Sequence, residues 1–239
     1  MINTVIKIGG SLGQSPELPE LMCRISELGV KHQILIIPGG GAFANAVREY
    51  DQRFCLDYDA SHWMSIRAMD QFGSMISSMC PNNELVQGLA EARKVVTTGR
   101  VPVLLTYNLL YQADELPRSW DVTSDSIAVW VADLVKARQL ILLKNVDGLF
   151  THDPYADVKA SQGMADLLKT INLDQLELSR GVDRYFATIL KKSRLNLWVV
   201  NGKHPERLAQ LLNTGVTKGT HLLRSNFSAV QPECDSQSL

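Results

Sequence analysis

Apolar positions along this chain follow two alternating rhythms. "TVIKIGGSL" (residues 4–12) is a short β-branched run that stops at two glycines. Behind it Leu18, Leu21, Met22, Ile25 and Leu28 recur at helical spacing, with Gly29 expected as the C-cap. "HQILIIPGGGAFANAVREY" (residues 32–50) repeats the order: residues 34–37 form a fully apolar strand, and Phe43, Ala46, Val47 and Tyr50 mark a helix face. The spacing predicts a long helix over 60–79, with Met64, Ala68, Met69, Phe72, Met75, Ile76 and Met79 on one core-facing stripe. It predicts another helix over 85–96, then one or two strands in "VPVLLTYNLLY" (residues 101–111).

The second half begins with a Ser/Thr/Asp-rich segment, "SWDVTSDS" (residues 119–126), ahead of a helix carrying Ile127, Trp130, Val131, Leu134 and Val135. The buried strand "QLILL" follows, then a loop at "NVDGLFTHDP" (residues 145–154). Further on, "DRYFATILKKS" reads as a helix, "NLWVV" as a strand, "PERLAQLL" as a helix with Pro205 in its first turn, and "THLL" as a closing strand. From Arg224 the periodicity is lost, and residues 224–239 are expected to be disordered. Alternation of strand and helix predicts an α/β fold with a parallel sheet wrapped by helices. With no internal repeat or proline-rich linker, the two halves are expected to share one sheet as lobes, 1–118 and 119–223.

Composition narrows the function. Twenty-four basic residues against 25 acidic give a formal charge of −1, so no field favours nucleic acid or an anionic membrane surface, and any anion is bound locally. The four cysteines, Cys23, Cys55, Cys80 and Cys234, form no C-x-x-C pair and the five histidines no H-x-x-x-H spacing, so no disulfide frame or zinc site is indicated. No apolar stretch approaches the roughly 20 residues of a membrane span. A cytoplasmic protein with reduced thiols is expected.

Chemistry concentrates at the glycine turns. Glycines between a strand and a helix let backbone N–H groups face an anion, and the helix N-terminus behind them adds partial positive charge. One such turn also arises from tight βα geometry alone. Two of them, at Gly9, Gly10 and Ser11 and at Gly39, Gly40 and Gly41, are brought by parallel strands to the same carboxyl edge, where open α/β sheets bind ligands. Neither matches G-x-x-x-x-G-K-[ST] or G-x-G-x-x-G. Lys7, just ahead of the first pair, would place its ammonium against a phosphoryl group in transfer.

"KIGGSL", "IPGGGAFA", "DVTSDSIA", "NVDGLFTHDP" and "GTHLL" stand in the order found in the amino acid kinase superfamily, which the chain resembles over about residues 1–223. "ASHWMSIRAMDQFG", the Trp120-Asp121 pair and "GVDRYF…VVNGKHPER" look most like the members that phosphorylate an aminomethylfuran phosphate in methanofuran-type cofactor synthesis. The resemblance implies a three-layer αβα sandwich, in-line phosphoryl transfer from ATP with Mg2+, a small-molecule acceptor over the N-terminal half, ATP over the C-terminal half, and a homo-oligomer. It implies Lys7 on the phosphoryl group, Gly9, Gly10 and Ser11 around the γ-phosphate, and Gly39, Gly40 and Gly41 around the acceptor's anionic group. Asp125 matches the carboxylate that orients the catalytic lysines. Asp147, Gly148, Phe150, Asp153 and Pro154 match the wall of the nucleotide site.

One departure concerns the second catalytic lysine, which several relatives carry shortly after a Gly-Gly-Met turn. Here "RGVDRYFATILKK" puts Asp183 close behind Gly181 and the lysines two helical turns later. Lys144, a charge ending the apolar strand "QLILLK", is the candidate substitute, with a solvent-facing strand-end lysine as the alternative. An acceptor bearing an ammonium calls for a carboxylate or aromatic face, for which Asp59, His62, Trp63 and Asp183 are candidates; His62 could equally be a core residue and Asp59 a helix cap. No histidine–carboxylate dyad adjoins the loops, and a phosphate acceptor needs no general base because its oxygen is already anionic. Carboxylate acceptors meet the same test, so UMP, isopentenyl phosphate and amino acids stay open, as does a non-catalytic oxyanion-storage protein.

Overall fold

The computed structural model describes residues 1–151, 166–178 and 181–223. Among them, eight strands form one sheet in the order β3-β4-β2-β1-β5-β7-β8-β6. β1 (Thr4–Ile8) sits at its centre, parallel to β2 (Ile34–Pro38) on one side and to β5 (Gln139–Lys144) on the other. β3 (Asn83–Val86) and β4 (Val101–Leu104) extend the sheet beyond β2, and β7 (Asn196–Asn201) continues it beyond β5, all in parallel. β8 (Thr220–Leu222) pairs antiparallel with β7 and parallel with β6 (Thr170–Ile171).

Side-chain alternation sorts the sheet's residues into two cores. Val5, Leu35, Ile37, Leu140, Leu142 and Val199 belong to the core on one face; Ile6, Ile8, Ile36, Ile141, Leu143 and Val200 belong to the core on the other. The first face is covered by α4 (Leu89–Thr97), α6 (Ser124–Val135) and α8 (Phe186–Lys191). The second is covered by α1 (Leu18–His32) and α9 (Pro205–Thr214). The result is the expected three-layer αβα sandwich, with strands too buried on both sides to alternate in polarity.

Several sequence expectations change. Gly29 does not end α1: Gln33 in the left-handed region does, while a Cβ on Gly29 would lie 2.1 Å from Val101 Cγ2, so close helix–sheet packing requires that glycine. The run expected as a helix over 85–96 begins as β3 and turns helical only at Leu89. The "VPVLLTYNLLY" segment supplies one strand, β4, and then α5 (Tyr107–Ala113), whose N-terminus is capped from outside by Asp70 through Thr106 N at 2.6 Å. α2 (Gly41–Phe54) buries Val47 but leaves Phe43 and Tyr50 exposed, because it packs on α3 (Tyr58–Ser77) rather than on the sheet. On α3 itself Met69 is buried whereas Met64 is exposed, and the helix cap is Asp57, not Asp59. A short helix, α7 (Leu173–Leu178), follows β6. The tail at 224–239 lies outside the described residues.

Candidate active site

Strand parity places the lysines. Lys7 lies two residues beyond Val5 on β1, and Lys144 two beyond Leu142 on β5, so both leave the sheet on the α6 face at its carboxyl edge. Between them stands Asp125 in the first turn of α6. Its Oδ1 is 2.8 Å from Lys7 Nζ and its Oδ2 is 2.8 Å from Lys144 Nζ. The Lys144 contact has hydrogen-bond geometry, whereas Lys7 meets Oδ1 as an ion pair that leaves that oxygen without a hydrogen bond. Lys7 and Asp125 are 5% and 4% exposed, so the triad is isolated from bulk water.

Burial alone would raise the Asp125 pKa, but the charges of Lys144 and Lys7 outweigh it and hold the carboxyl at about 2. Burial also pushes Lys7 below the usual lysine range; Asp125 opposes this and the like charge of Lys144 adds to it. An ammonium has three donors. Each lysine therefore keeps donors for an oxyanion while Asp125 fixes its position.

The two glycine turns meet at the same carboxyl edge of the sheet. Gly9 N donates to Leu143 O at 2.8 Å and Gly39 N to Ile8 O at 2.8 Å, carrying the ladder of both strand pairs into the turns. A Cβ on Gly10 would lie 2.1 Å from Gly41 N, and one on Gly39 would lie 2.6 Å from Gly10 N. Contact between the two backbones therefore excludes side chains at these positions. The same contact brings two helix starts together, the 3-10 turn Gly10–Gln14 and α2 at Gly41, whose first N–H groups lack intrahelical partners.

A cavity of about 440 Å³ opens beside these turns, lined by Gly10, Ser11, Gly40 and Gly41 at one end and by Ile66, Met69, Phe72 and Ile127 along its wall. Among the described residues its charged or titratable lining is Arg48, Tyr58 and His62, and none of them is a carboxylate. Arg48 folds along α2 to donate to Asn45 Oδ1 at 3.1 Å and lies 4.7 Å from the centre of the Trp120 ring. Trp120 is held by its Nε1 donating to Asp51 Oδ2 at 2.8 Å, and Ser61 Oγ donates to Asp51 Oδ1 at 2.8 Å. One carboxylate thus ties α2, α3 and the segment before α6 into a single wall.

Three predicted acceptor contacts fall elsewhere. Asp59 is ion-paired with Arg118 outside the cavity lining. Asp183 is also absent from the lining; it accepts from Thr123 N at 2.9 Å, Thr123 Oγ1 at 2.8 Å, Ser126 N at 3.0 Å and Ser126 Oγ, and so caps α6 from a distant segment. Burial raises its pKa against those hydrogen bonds. By holding the start of α6 it positions Asp125. Trp63 packs edge-on against His62, Tyr107 and Tyr111, again outside the lining. His62 alone of the four reaches the cavity.

On the other side of Lys144, Asp147 receives Asn201 Nδ2 at 2.9 Å and Arg207 Nη1 at 2.6 Å on Oδ1, and Lys218 Nζ at 2.5 Å on Oδ2. Burial works to raise its pKa, and the hydrogen bonds from Lys218, Asn201 and Arg207 more than reverse this, leaving it well below the ordinary carboxylate value. Gly148, at φ +159°, lies where a Cβ would be 2.4 Å from Thr220 Oγ1, and Phe150 bridges to Leu167. Asp153 and Pro154 lie outside the described residues. Sequence reasoning missed Arg48, Trp120 as a wall, and the partners of Asp147. For the last, "VVNGKHPER" was the available signal, since it contains Asn201 and Arg207.

A parallel sheet with two abutting glycine turns and paired lysines at its carboxyl edge defines a phosphotransferase of the αβα type. Residues 3–209 match the amino acid kinase family, and the chain belongs to that family. It is 32% identical over 210 residues to (5-(aminomethyl)furan-3-yl)methyl phosphate kinase of Methanocaldococcus jannaschii, covering 87% of this chain and 92% of that enzyme. Among solved structures it is similar to uridylate kinase of Archaeoglobus fulgidus, with a TM-score of 0.72 at 21% identity, covering 93% of this chain and all of that one. It is also similar to the isopentenyl phosphate kinase of T. acidophilum, with a TM-score of 0.62 at 18% identity over 92% of this chain and all of that one. Among the described residues no helix is long and apolar enough to cross a membrane.

Proposed function

We propose that this kinase transfers the γ-phosphoryl group of ATP to the phosphate of a small acceptor, (5-(aminomethyl)furan-3-yl)methyl phosphate, giving a diphosphate. The observation that carries the reading is Asp125 shared by two lysines at the sheet edge where the glycine turns meet, with a cavity beside those turns lined by Arg48 and, among the described residues, by no carboxylate. Phosphoryl transfer needs positioning and charge neutralisation more than covalent help. Lys7 and Lys144 supply two fixed positive charges, and Asp125 holds them apart and oriented. The backbone at Gly9, Gly10 and Ser11 would receive the γ-phosphate, and the start of α2 at Gly40 and Gly41 the acceptor's phosphate.

In this reading residues 1–118 hold the acceptor and 119–223 the nucleotide, with Asp147, Gly148 and Phe150 walling the nucleotide. Asp125 and Asp147 are each tied to two cations, and no group of acidic, histidine or cysteine ligands gathers among the described residues. That donor set fits a magnesium ion carried on the nucleotide's own phosphates, where it would neutralise charge. No side chain need remove a proton, since the attacking phosphate oxygen is already anionic.

The 32% identity to the M. jannaschii enzyme, against 21% and 18% to the uridylate and isopentenyl phosphate kinases of known structure, favours the aminomethylfuran acceptor over those alternatives. The test is purified protein with Mg-ATP and each acceptor in turn, with mass detection of product. A diphosphate from the aminomethylfuran phosphate is expected. Turnover of UMP or isopentenyl phosphate alone would move the chain to a sister activity, and phosphorylation of none would discard the reading.

A further inference from the structure

Ser65 sits on α3 among the residues lining the cavity, and its Oγ is buried without a hydrogen-bond partner. A serine within a helix ordinarily bonds back to the carbonyl four residues earlier, and Ser65 does not. An unpaired buried hydroxyl is costly to keep in a folded chain, so its retention on a wall otherwise built from Ile66, Met69 and Phe72 points to a ligand group that completes it. His62, one turn earlier on the same helix, lines the same cavity.

We propose that Ser65, together with His62, reads the amine arm of the acceptor and is the specificity-determining contact on α3. The inference rests on the acceptor proposed above. None of the described lining residues is a carboxylate, so an amine entering there meets aromatic faces such as Trp120 and, one turn apart on α3, a pair of neutral acceptors. The Ser65 hydroxyl oxygen is one and an imidazole nitrogen of His62 the other. Burial and the charge of Arg118 lower the His62 pKa, which keeps a ring lone pair free. With the phosphate at the glycine turns, the cavity then presents an anion site, an apolar stretch of Ile66, Met69 and Phe72 for a flat ring, and the Ser65 and His62 pair beside it on α3. An isoprenoid acceptor would leave Ser65 unpaired.

The experiment compares two acceptors, the aminomethylfuran phosphate and its analogue lacking the aminomethyl group, on the natural chain, Ser65→Ala and Ser65→Thr. The natural chain should prefer the amine-bearing acceptor in KM. Ser65→Ala should raise that KM roughly tenfold, the usual discrimination from one lost buried hydrogen bond. It should leave the analogue's KM within about twofold, and Ser65→Thr, which keeps the hydroxyl, should restore the preference. Equal losses on both acceptors, or no preference in the natural chain, would overturn the proposal. Phosphorylation of neither acceptor by the natural chain rejects the acceptor reading itself and this inference with it.

Discussion

Asp125 and Asp147 flank the carboxyl end of β5, and each stands between two cations. Asp125 joins Lys7 and Lys144, with side chains 6%, 6% and 13% exposed; Asp147 joins Arg207 and Lys218, at 27%, 15% and 56%. Both carboxyls lie below their ordinary pKa for the same reason, the neighbouring cations overcoming burial. The difference is the solvent. Around Asp125 water cannot screen or replace a lost partner, so the three charges behave as one unit. Around Asp147 water reaches the carboxylate and Lys218, so that contact is screened and individually dispensable. Equal charge patterns at one sheet edge thus yield a buried, fixed cluster in one case and a more solvated one in the other.

The sharpest way to break the comparison is to remove each carboxylate. Asp125→Ala strands two lysines in the interior and is expected to cost about 3–5 kcal/mol, measured by denaturant unfolding, with turnover abolished. Asp147→Ala should cost no more than about 1 kcal/mol. Comparable losses would mean that burial does not distinguish the two sites.

Next in size are the cations. Lys7→Met and Lys144→Met should each lower kcat by about 100-fold or more, as expected for one preorganised charge acting in the transition state. Lys218→Met should act mainly through KM for the nucleotide. A near-normal kcat for Lys144→Met would leave Lys7 as the sole cation of the reaction and return Lys144 to a structural role.

pH sharpens the contrast further. The folded Asp125 carboxyl sits at about 2 against an ordinary 3.8, so its contribution to stability is complete above pH 4 and is lost as pH falls from there towards 2. Asp147 shifts in the same direction but is partly solvated, so Asp147→Asn should remove little of the acid sensitivity, whereas Asp125→Asn should remove most of it. Unfolding midpoints across that window decide this. On the alkaline side, the lowered Lys7 pKa predicts that kcat declines before the ordinary lysine range is reached.

A smaller effect than the loss of Asp125 is expected at Asp183. Asp183→Asn keeps one acceptor oxygen for the start of α6 and should cost about 1–2 kcal/mol, the range for a lost cap, with kcat falling through misplacement of Asp125. A variant stable but fully active would show that α6 holds Asp125 without this distant cap.

The fold was legible because two periodicities carry it. Residues 4–8, 34–38 and 139–144 are too apolar to sit anywhere but inside, and glycine ends the first two. Less legible were elements whose partners lie far away in the chain. The segment at 83–86 is a strand because β4 pairs with it, although its spacing resembles the helix that follows. α2 showed an apolar face that the fold leaves in solvent, since its place is set by the glycine turns and α3. That Lys7, Asp125 and the glycines gather at one edge was readable from type and position, and Lys144 from ending an apolar strand with a charge. Asp183 misled, because a helix cap supplied from about 60 residues away has no local signature. Ser65 gave no signal at all, since an unpaired hydroxyl is visible only once its surroundings exist.

By itself, then, the sequence determined the αβα architecture, the gathering of the glycine turns at the carboxyl edge, and the residues able to carry charge there, because strand parity and glycine placement are local properties of the chain. Tertiary structure alone decided that one carboxylate would hold both lysines, that the two glycine turns would touch, and that the cavity beside them would lack an acid. Those outcomes depend on register between strands distant in sequence, and a shift of one residue would turn Lys7 or Lys144 to the opposite face of the sheet.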